Sequence, residues 1–125
     1  MSRIVIIEDN PQNARLAEKI LRRYGHEVVL AQDGEDGLSK VFELCPDLVL
    51  VDLGLPDIDG QTVVAVLRQE ARLEATPILA FTAWPEHAAQ EMARAYGCDG
   101  VIIKPIDTRR FGQQVAEFLP ESQIE

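Results

Sequence analysis

Two cysteines, one tryptophan and twelve basic residues are what this 125-residue chain has little of. Each shortage removes a class of function. Cys45 and Cys98 lie far apart and make no CxxC pair, so no thioredoxin-type redox centre or cysteine-based zinc site can be read. Both are expected as buried or half-buried reduced thiols. No apolar run approaches the about 20 residues that a membrane-spanning helix needs. The run Ile4-Val5-Ile6-Ile7 is ended by Glu8 and Asp9, well short of a secretory leader. Twelve basic residues against 21 acidic ones give a formal net charge of -9. Such a surface repels nucleic acid and anionic membranes, so neither is an expected partner. Divalent cations and basic protein surfaces are better matched. There is no P-loop and no GxGxxG, which argues against nucleotide binding. The length fits one domain, residues 1–120, with a short polar tail at 121–125. The expected compartment is the cytoplasm.

What is present is a strict alternation. Short β-branched runs are separated by longer amphipathic segments. Ile4 to Ile7 reads as a buried strand. Asn10 then caps a helix with Pro11 at its first position, where a missing N–H costs nothing. Arg22, Arg23 and Gly25 close that helix. Val28-Val29-Leu30 is a second strand, and Asp33-Gly34 turns into a helix carrying Leu38, Val41, Phe42 and Leu44. Leu48 to Val51 is a third strand ending at Asp52. Gly54, Pro56, Asp57 and Gly60 mark a loop. A helix with Val63, Val66 and Leu67 inward follows. Ile78 to Phe81 is a strand ending at Thr82, and Pro85-Glu86 opens a helix to Tyr96-Gly97. Gly100 to Ile103 is the last strand, stopping at Lys104-Pro105. Asp107 is expected to cap a final helix containing Phe111, Val115, Phe118 and Leu119. Strand–helix alternation of this kind predicts a doubly wound α/β fold: a five-stranded parallel sheet, flavodoxin-like in order 2-1-3-4-5, with helices on both faces. The strands lack polar alternation, as expected when both faces are covered.

In such a sheet, ligands sit beyond the carboxyl ends of the strands. Those ends carry Glu8 and Asp9, then Asp52, Thr82 and Lys104. Three neighbouring carboxylates repel one another and need a counter-ion. An all-oxygen site suits a hard divalent cation, Mg²⁺ or Mn²⁺. Asp52 can act as a nucleophile toward a phosphoryl group, giving an acyl phosphate. Lys104 supplies a fixed positive charge, and Thr82 a hydroxyl for a phosphoryl oxygen. Taken singly, each residue has an ordinary explanation: Asp52 as a turn residue, Glu8-Asp9 as a solvated acidic turn, Thr82 as a strand-end hydroxyl, Lys104-Pro105 as a turn. Their arrangement on the right strand ends favours the functional reading.

Ordered as Ile4-Val-Ile-Ile-Glu-Asp-Asn10, Pro46-Asp-Leu-Val-Leu-Val-Asp52, Leu55-Pro56, Asp59-Gly60, Pro77-Ile-Leu-Ala-Phe-Thr-Ala83, Gly97 and Lys104-Pro105, these pieces resemble the receiver domains of two-component response regulators. The resemblance runs from Ile4 to Leu119. It implies phosphotransfer to Asp52 from a histidine kinase or histidine phosphotransfer protein. It implies Mg²⁺ held by Glu8, Asp9 and Asp52, with the backbone carbonyl of Gly54 as a further ligand. It implies that Thr82 shifts toward the phosphoryl group while Lys104 pairs with it, and that a downstream protein effector reads the change. Such a domain catalyses only its own phosphorylation and dephosphorylation and is not an enzyme with an outside substrate. A monomer or weak homodimer is expected. Met1 and the tail from Pro120 to Glu125 lean toward a stand-alone regulator over a receiver excised from a hybrid kinase.

Three positions depart from the family pattern. Val101 stands where an aromatic residue usually precedes the lysine-proline pair, so coupling of Thr82 to an aromatic switch there is absent or rewired. Trp84, two residues after Thr82, is expected at the site mouth, either as a packed aromatic or as a shield for the acyl phosphate. Gly54 has no side chain to orient a hydrolytic water, which predicts slow self-dephosphorylation. It also weakens a haloacid-dehalogenase-type phosphohydrolase reading, which needs an acid there. A non-phosphorylated binding platform is disfavoured by the complete set of Glu8, Asp9, Asp52, Thr82 and Lys104. His26 and His87 read as surface residues. Arg109 and Arg110 read as solvated, and Asp57 and Asp59 as turn residues.

Overall fold

The computed structural model describes residues 2–120. The tail read at 121–125 lies outside the described residues, as does Met1. The elements run β1 (Arg3–Ile7), α1 (Pro11–Arg23), β2 (Glu27–Ala31), α2 (Gly34–Leu44), β3 (Leu48–Asp52), α3 (Gly60–Arg68), a 3₁₀ turn (Ala71–Leu73), β4 (Ile78–Thr82), α4 (Glu86–Tyr96), β5 (Gly100–Ile103) and α5 (Phe111–Ala116). All strand pairs are parallel and the sheet order is β2-β1-β3-β4-β5. This is the doubly wound, flavodoxin-like sheet expected from the alternation.

The period of two along each strand divides the core. Ile4, Ile6, Leu48, Leu50, Leu79 and Phe81 pack with Ala17, Leu21, Phe111 and Val115 of α1 and α5. Val5, Ile7, Val49 and Val51 point the other way, against Val41, Val63, Val64 and Leu67 of α2 and α3. A smaller cluster of Leu53, Ala80 and Met92 lies under α4, with Trp84, Cys98 and Val101 packed against it. Central strands β3 and β4 are buried throughout, which is why they read as unbroken apolar runs.

The helix caps explain where the chain turns. Asn10 Oδ1 accepts the N–H groups of Gln12 and Asn13, with Pro11 opening α1. Asp33 Oδ1 accepts the Asp36 N–H at 2.8 Å and starts α2. Gly97 takes φ +94 and terminates α4, a backbone that a residue with a Cβ rarely adopts.

Four local expectations need correction. Asp107 does not cap α5 directly. Its carboxylate accepts the Arg109 N–H, and its carbonyl accepts from both Arg110 and Phe111, so it tightens a turn ahead of the helix. The helix ends at Ala116, and Phe118 and Leu119 follow in i→i+3 turns that lay the Phe118 ring over Gly100. Cys45 is exposed, not buried, because it occupies the left-handed cap of α2 at φ 44; Cys98 is half-buried as expected. His26 is half-buried with both ring nitrogens shielded, and burial lowers its pKa. His87 is exposed beside Glu91.

Candidate functional site: an acidic cluster beside a half-buried lysine

The carboxyl ends of β1, β3, β4 and β5 bring five charged or polar groups to one edge. Glu8 follows β1 and is buried, Asp52 ends β3 at 6% exposure, and Thr82 ends β4 at 2%. Asp9 is exposed at the rim. Carboxylate oxygens of Glu8, Asp9 and Asp52 all lie within 4.8 Å of one another. Lys104 reaches back from the end of β5, its Nζ 2.6 Å from Glu8 Oε1 and 3.3 Å from Asp52 Oδ1. Phe81 holds the ammonium from below, with its ring centroid 4.8 Å from Nζ. The Lys104 backbone N–H donates to the Thr82 carbonyl at 2.7 Å, which fixes where the side chain starts. The Lys104–Pro105 peptide is cis, and Pro105 is exposed.

The carboxyl groups of the two buried acids are shifted in opposite directions. Burial pushes the Glu8 carboxyl up to about 7, although Lys104 and the Asn10 N–H, 3.0 Å from Oε2, pull the other way. Burial also raises Asp52. There the Gly54 N–H on Oδ1 at 3.0 Å, together with Glu8 and Lys104, more than offsets it, so Asp52 stays below the usual carboxylate range. An ionised, partly desolvated Asp52 is the form a nucleophile needs.

Gly54 touches the cluster through its N–H, whereas Trp84 and Val101 lie to one side of it. Thr82 lies one residue beyond Phe81, the register partner of Asp52, and its Oγ1 accepts the Trp84 N–H at 3.0 Å. Trp84 and Val101 are half-buried on the α4 side, packed against Leu53, Ala80 and Met92. Gly54 is exposed on the loop after β3. Two contributors escaped sequence reasoning. Phe81 was legible only as core, because its ring serves Lys104 from a different strand. Asp57 is more than a turn residue: its carboxylate accepts the N–H groups of Gly34 and Glu35 at 2.8 and 3.0 Å. No signal within its own loop announces a partner 23 residues away.

Three oxygen-donor acids at this spacing form a donor set that fits a small hard cation. A family model described as the response regulator receiver domain matches residues 4–116. The chain belongs to that family. The polar-differentiation response regulator DivK of Brucella ovis is 31% identical over 119 residues, covering 95% of this chain and 97% of that protein. Among solved structures, response regulator TrrA of Thermotoga maritima, in complex with Mg²⁺-BeF, superposes with a TM-score of 0.83 at 27% identity, covering 95% of this chain and all of that one. The chemotaxis response regulator CheY4 of Vibrio cholerae superposes with a TM-score of 0.90 at 24% identity over 95% and 99% of the two chains, a likeness of fold. Receiver domains are signalling domains of two-component systems, not enzymes acting on outside substrates, and they bind Mg²⁺ at an acidic site. This chain carries an acidic cluster of Glu8, Asp9 and Asp52 at the sheet edge. Membership implies a kinase partner. Among the described residues, no helix is long and apolar enough to cross a membrane.

Proposed function

We propose that Asp52 accepts a phosphoryl group from a phosphohistidine of a histidine kinase or histidine phosphotransfer protein. The observation that carries this reading is the half-buried Lys104 set against the buried carboxylates of Glu8 and Asp52, beside an exposed Asp9. An Asp52 carboxylate oxygen attacks phosphorus, the N–P bond of the donor breaks, and the imidazole leaves with its electron pair. The product is an aspartyl phosphate. Lys104 neutralises charge on the phosphoryl oxygens, from a position already set by Phe81 and the Thr82 carbonyl. Glu8, Asp9, Asp52 and the backbone carbonyl of Gly54 hold Mg²⁺ or Mn²⁺, which supplies further positive charge when bound.

Thr82 is the switch residue. Drawn toward the phosphoryl oxygens, its hydroxyl leaves the Trp84 N–H, and Trp84, Val101 and α4 respond. The population shifts toward a state with different protein contacts, which a downstream effector reads. Trp84 limits access of water to the acyl phosphate, and Gly54 offers no side chain to steer a hydrolytic water, so the phosphoryl group is long-lived. The domain spans residues 1–120, works in the cytoplasm as a monomer or weak homodimer, and has no nucleic acid or membrane as direct partner.

Mapping the modified residue tests the reading. After treatment with a small phosphodonor and Mg²⁺, borohydride reduction of an aspartyl phosphate leaves homoserine at that position. Homoserine at 52 is expected. Reduction at another acidic residue, or at none, contradicts the assignment.

A further inference from the structure

The loop from Leu53 to Gly60 joins the strand of Asp52 to α3, and it is fastened at both ends. At its base, Gly60 sits against the Asp52 carbonyl and Leu53, so closely that a Cβ there would lie 2.6 Å from Leu53 Cα. At its tip, Asp57 crosses to the start of α2. Its Oδ1 accepts the Gly34 N–H at 2.8 Å and its Oδ2 the Glu35 N–H at 3.0 Å. Gly34 is built to receive it: a Cβ there would stand 3.0 Å from Ile58 Cβ and 3.2 Å from Asp57 Oδ1.

A helix start leaves four N–H groups without intrahelical partners. Asp33 already takes one of those in α2, through the Asp36 N–H. Asp57 takes two more, the Gly34 and Glu35 N–H groups, from 23 and 22 residues away. The larger consequence falls on the loop that Asp57 belongs to. Gly54 lies between the two fastenings, and its N–H orients Asp52 Oδ1 at 3.0 Å. A loop free to swing at its tip would carry Gly54 out of register with Asp52.

We propose that Asp57 is a positioning residue for the acidic site: by tethering this loop to α2 it holds Gly54 and the Asp52 carboxylate in the geometry that binds a divalent cation. The inference rests on the reading of Glu8, Asp9 and Asp52 as a Mg²⁺ site. Partners that orient metal ligands typically change affinity about 10–100-fold when removed.

The test is a calorimetric Mg²⁺ titration of the whole chain, paired with thermal melting in chelator. Asp57→Ala should weaken Mg²⁺ by about tenfold or more. Asp57→Asn, which keeps one acceptor, should lose less. Gly34→Ala crowds the same contact without changing charge and should weaken Mg²⁺ as well, which separates the tether from a simple charge effect. Folded Asp57→Ala and Gly34→Ala variants that melt lower yet bind Mg²⁺ like wild type would reduce Asp57 to a helix cap and overturn the inference. Wild type that binds no Mg²⁺ would instead overturn the site reading on which it stands.

Discussion

The backbone N–H of Trp84 donates to the side-chain oxygen of Thr82 at 3.0 Å, so the hydroxyl that would meet a phosphoryl group is already committed to the residue that covers the α4 cluster. Val101, at the position where the family usually carries an aromatic residue, has no comparable tie. On the proposed reading, the signal would take a shorter route, through the main chain of Trp84. Trp84 is the sole tryptophan, which makes it a clean reporter. Its emission should change as the aspartyl phosphate accumulates, beyond any change produced by Mg²⁺ alone. Thr82→Ser should keep that response per mole of adduct and Thr82→Ala should lose it. Emission that follows Mg²⁺ but ignores the adduct would break the proposed link.

A second expectation concerns lifetime. Trp84 is half-buried over Leu53 and Met92, and Gly54, two residues after Asp52, has no side chain to guide a water. The wild-type adduct should decay slowly once the phosphodonor is removed, and Trp84→Ala should decay faster. A wild-type lifetime of only seconds contradicts the role given to Gly54. An unchanged rate in the variant leaves Trp84 as packing alone.

Glu8 gives the metal-free protein a pH dependence of definite sign. Its carboxyl rises from 4.5 to about 7, chiefly through burial. A carboxyl raised in the folded state binds its proton more tightly there than in the unfolded chain. Its contribution to stability is fully present below the unfolded value and is lost as pH rises through about 7. The difference is worth about 3 kcal/mol at most. Asp52 acts oppositely, because its pKa is lowered: its contribution is present above the ordinary carboxylate value and is lost in acid. In chelator, urea denaturation should show wild type weakening between about pH 5 and about pH 8, and Glu8→Gln should be nearly flat there. Equal wild-type stability at both ends would mean that Glu8 is ionised throughout.

Gly60 is a steric requirement. A Cβ there meets the Asp52 carbonyl and Leu53, which are backbone atoms of the site with no room to yield. Gly60→Ala should cost about 1–3 kcal/mol, the range for forcing extra volume into a packed position. The loss of Mg²⁺ affinity should accompany the loss of stability, since the same backbone carries both. A variant as stable as wild type would show that the loop base is looser than this packing implies.

Much of this was legible in the sequence because a parallel sheet converts strand ends into places. Glu8, Asp52, Thr82 and Lys104 each end or follow an apolar run, and the connectivity alone puts those ends on one edge. Asn10 and Asp33 were equally readable, since a cap acts on its own helix. The features that escaped are contacts across the fold. Asp57 serves α2 from the β3–α3 loop, and Phe81 serves Lys104 from a neighbouring strand. The late start of α5 depends on Asp107 turning back on Arg109 and Arg110, a local choice that competes with a helix cap of the same composition. His26 reads as polar surface, yet the fold half-buries it.

The central claim is that Asp52 is the acceptor and that the acidic cluster makes it one through a divalent cation. Intact-protein mass after incubation with a small phosphodonor, with Mg²⁺ and with chelator, tests it most directly in wild type and Asp52→Ala. A single phosphoryl adduct that needs Mg²⁺ and is absent from Asp52→Ala is the predicted result. Folded wild type that gains no adduct, or Asp52→Ala that gains one equally, would contradict it.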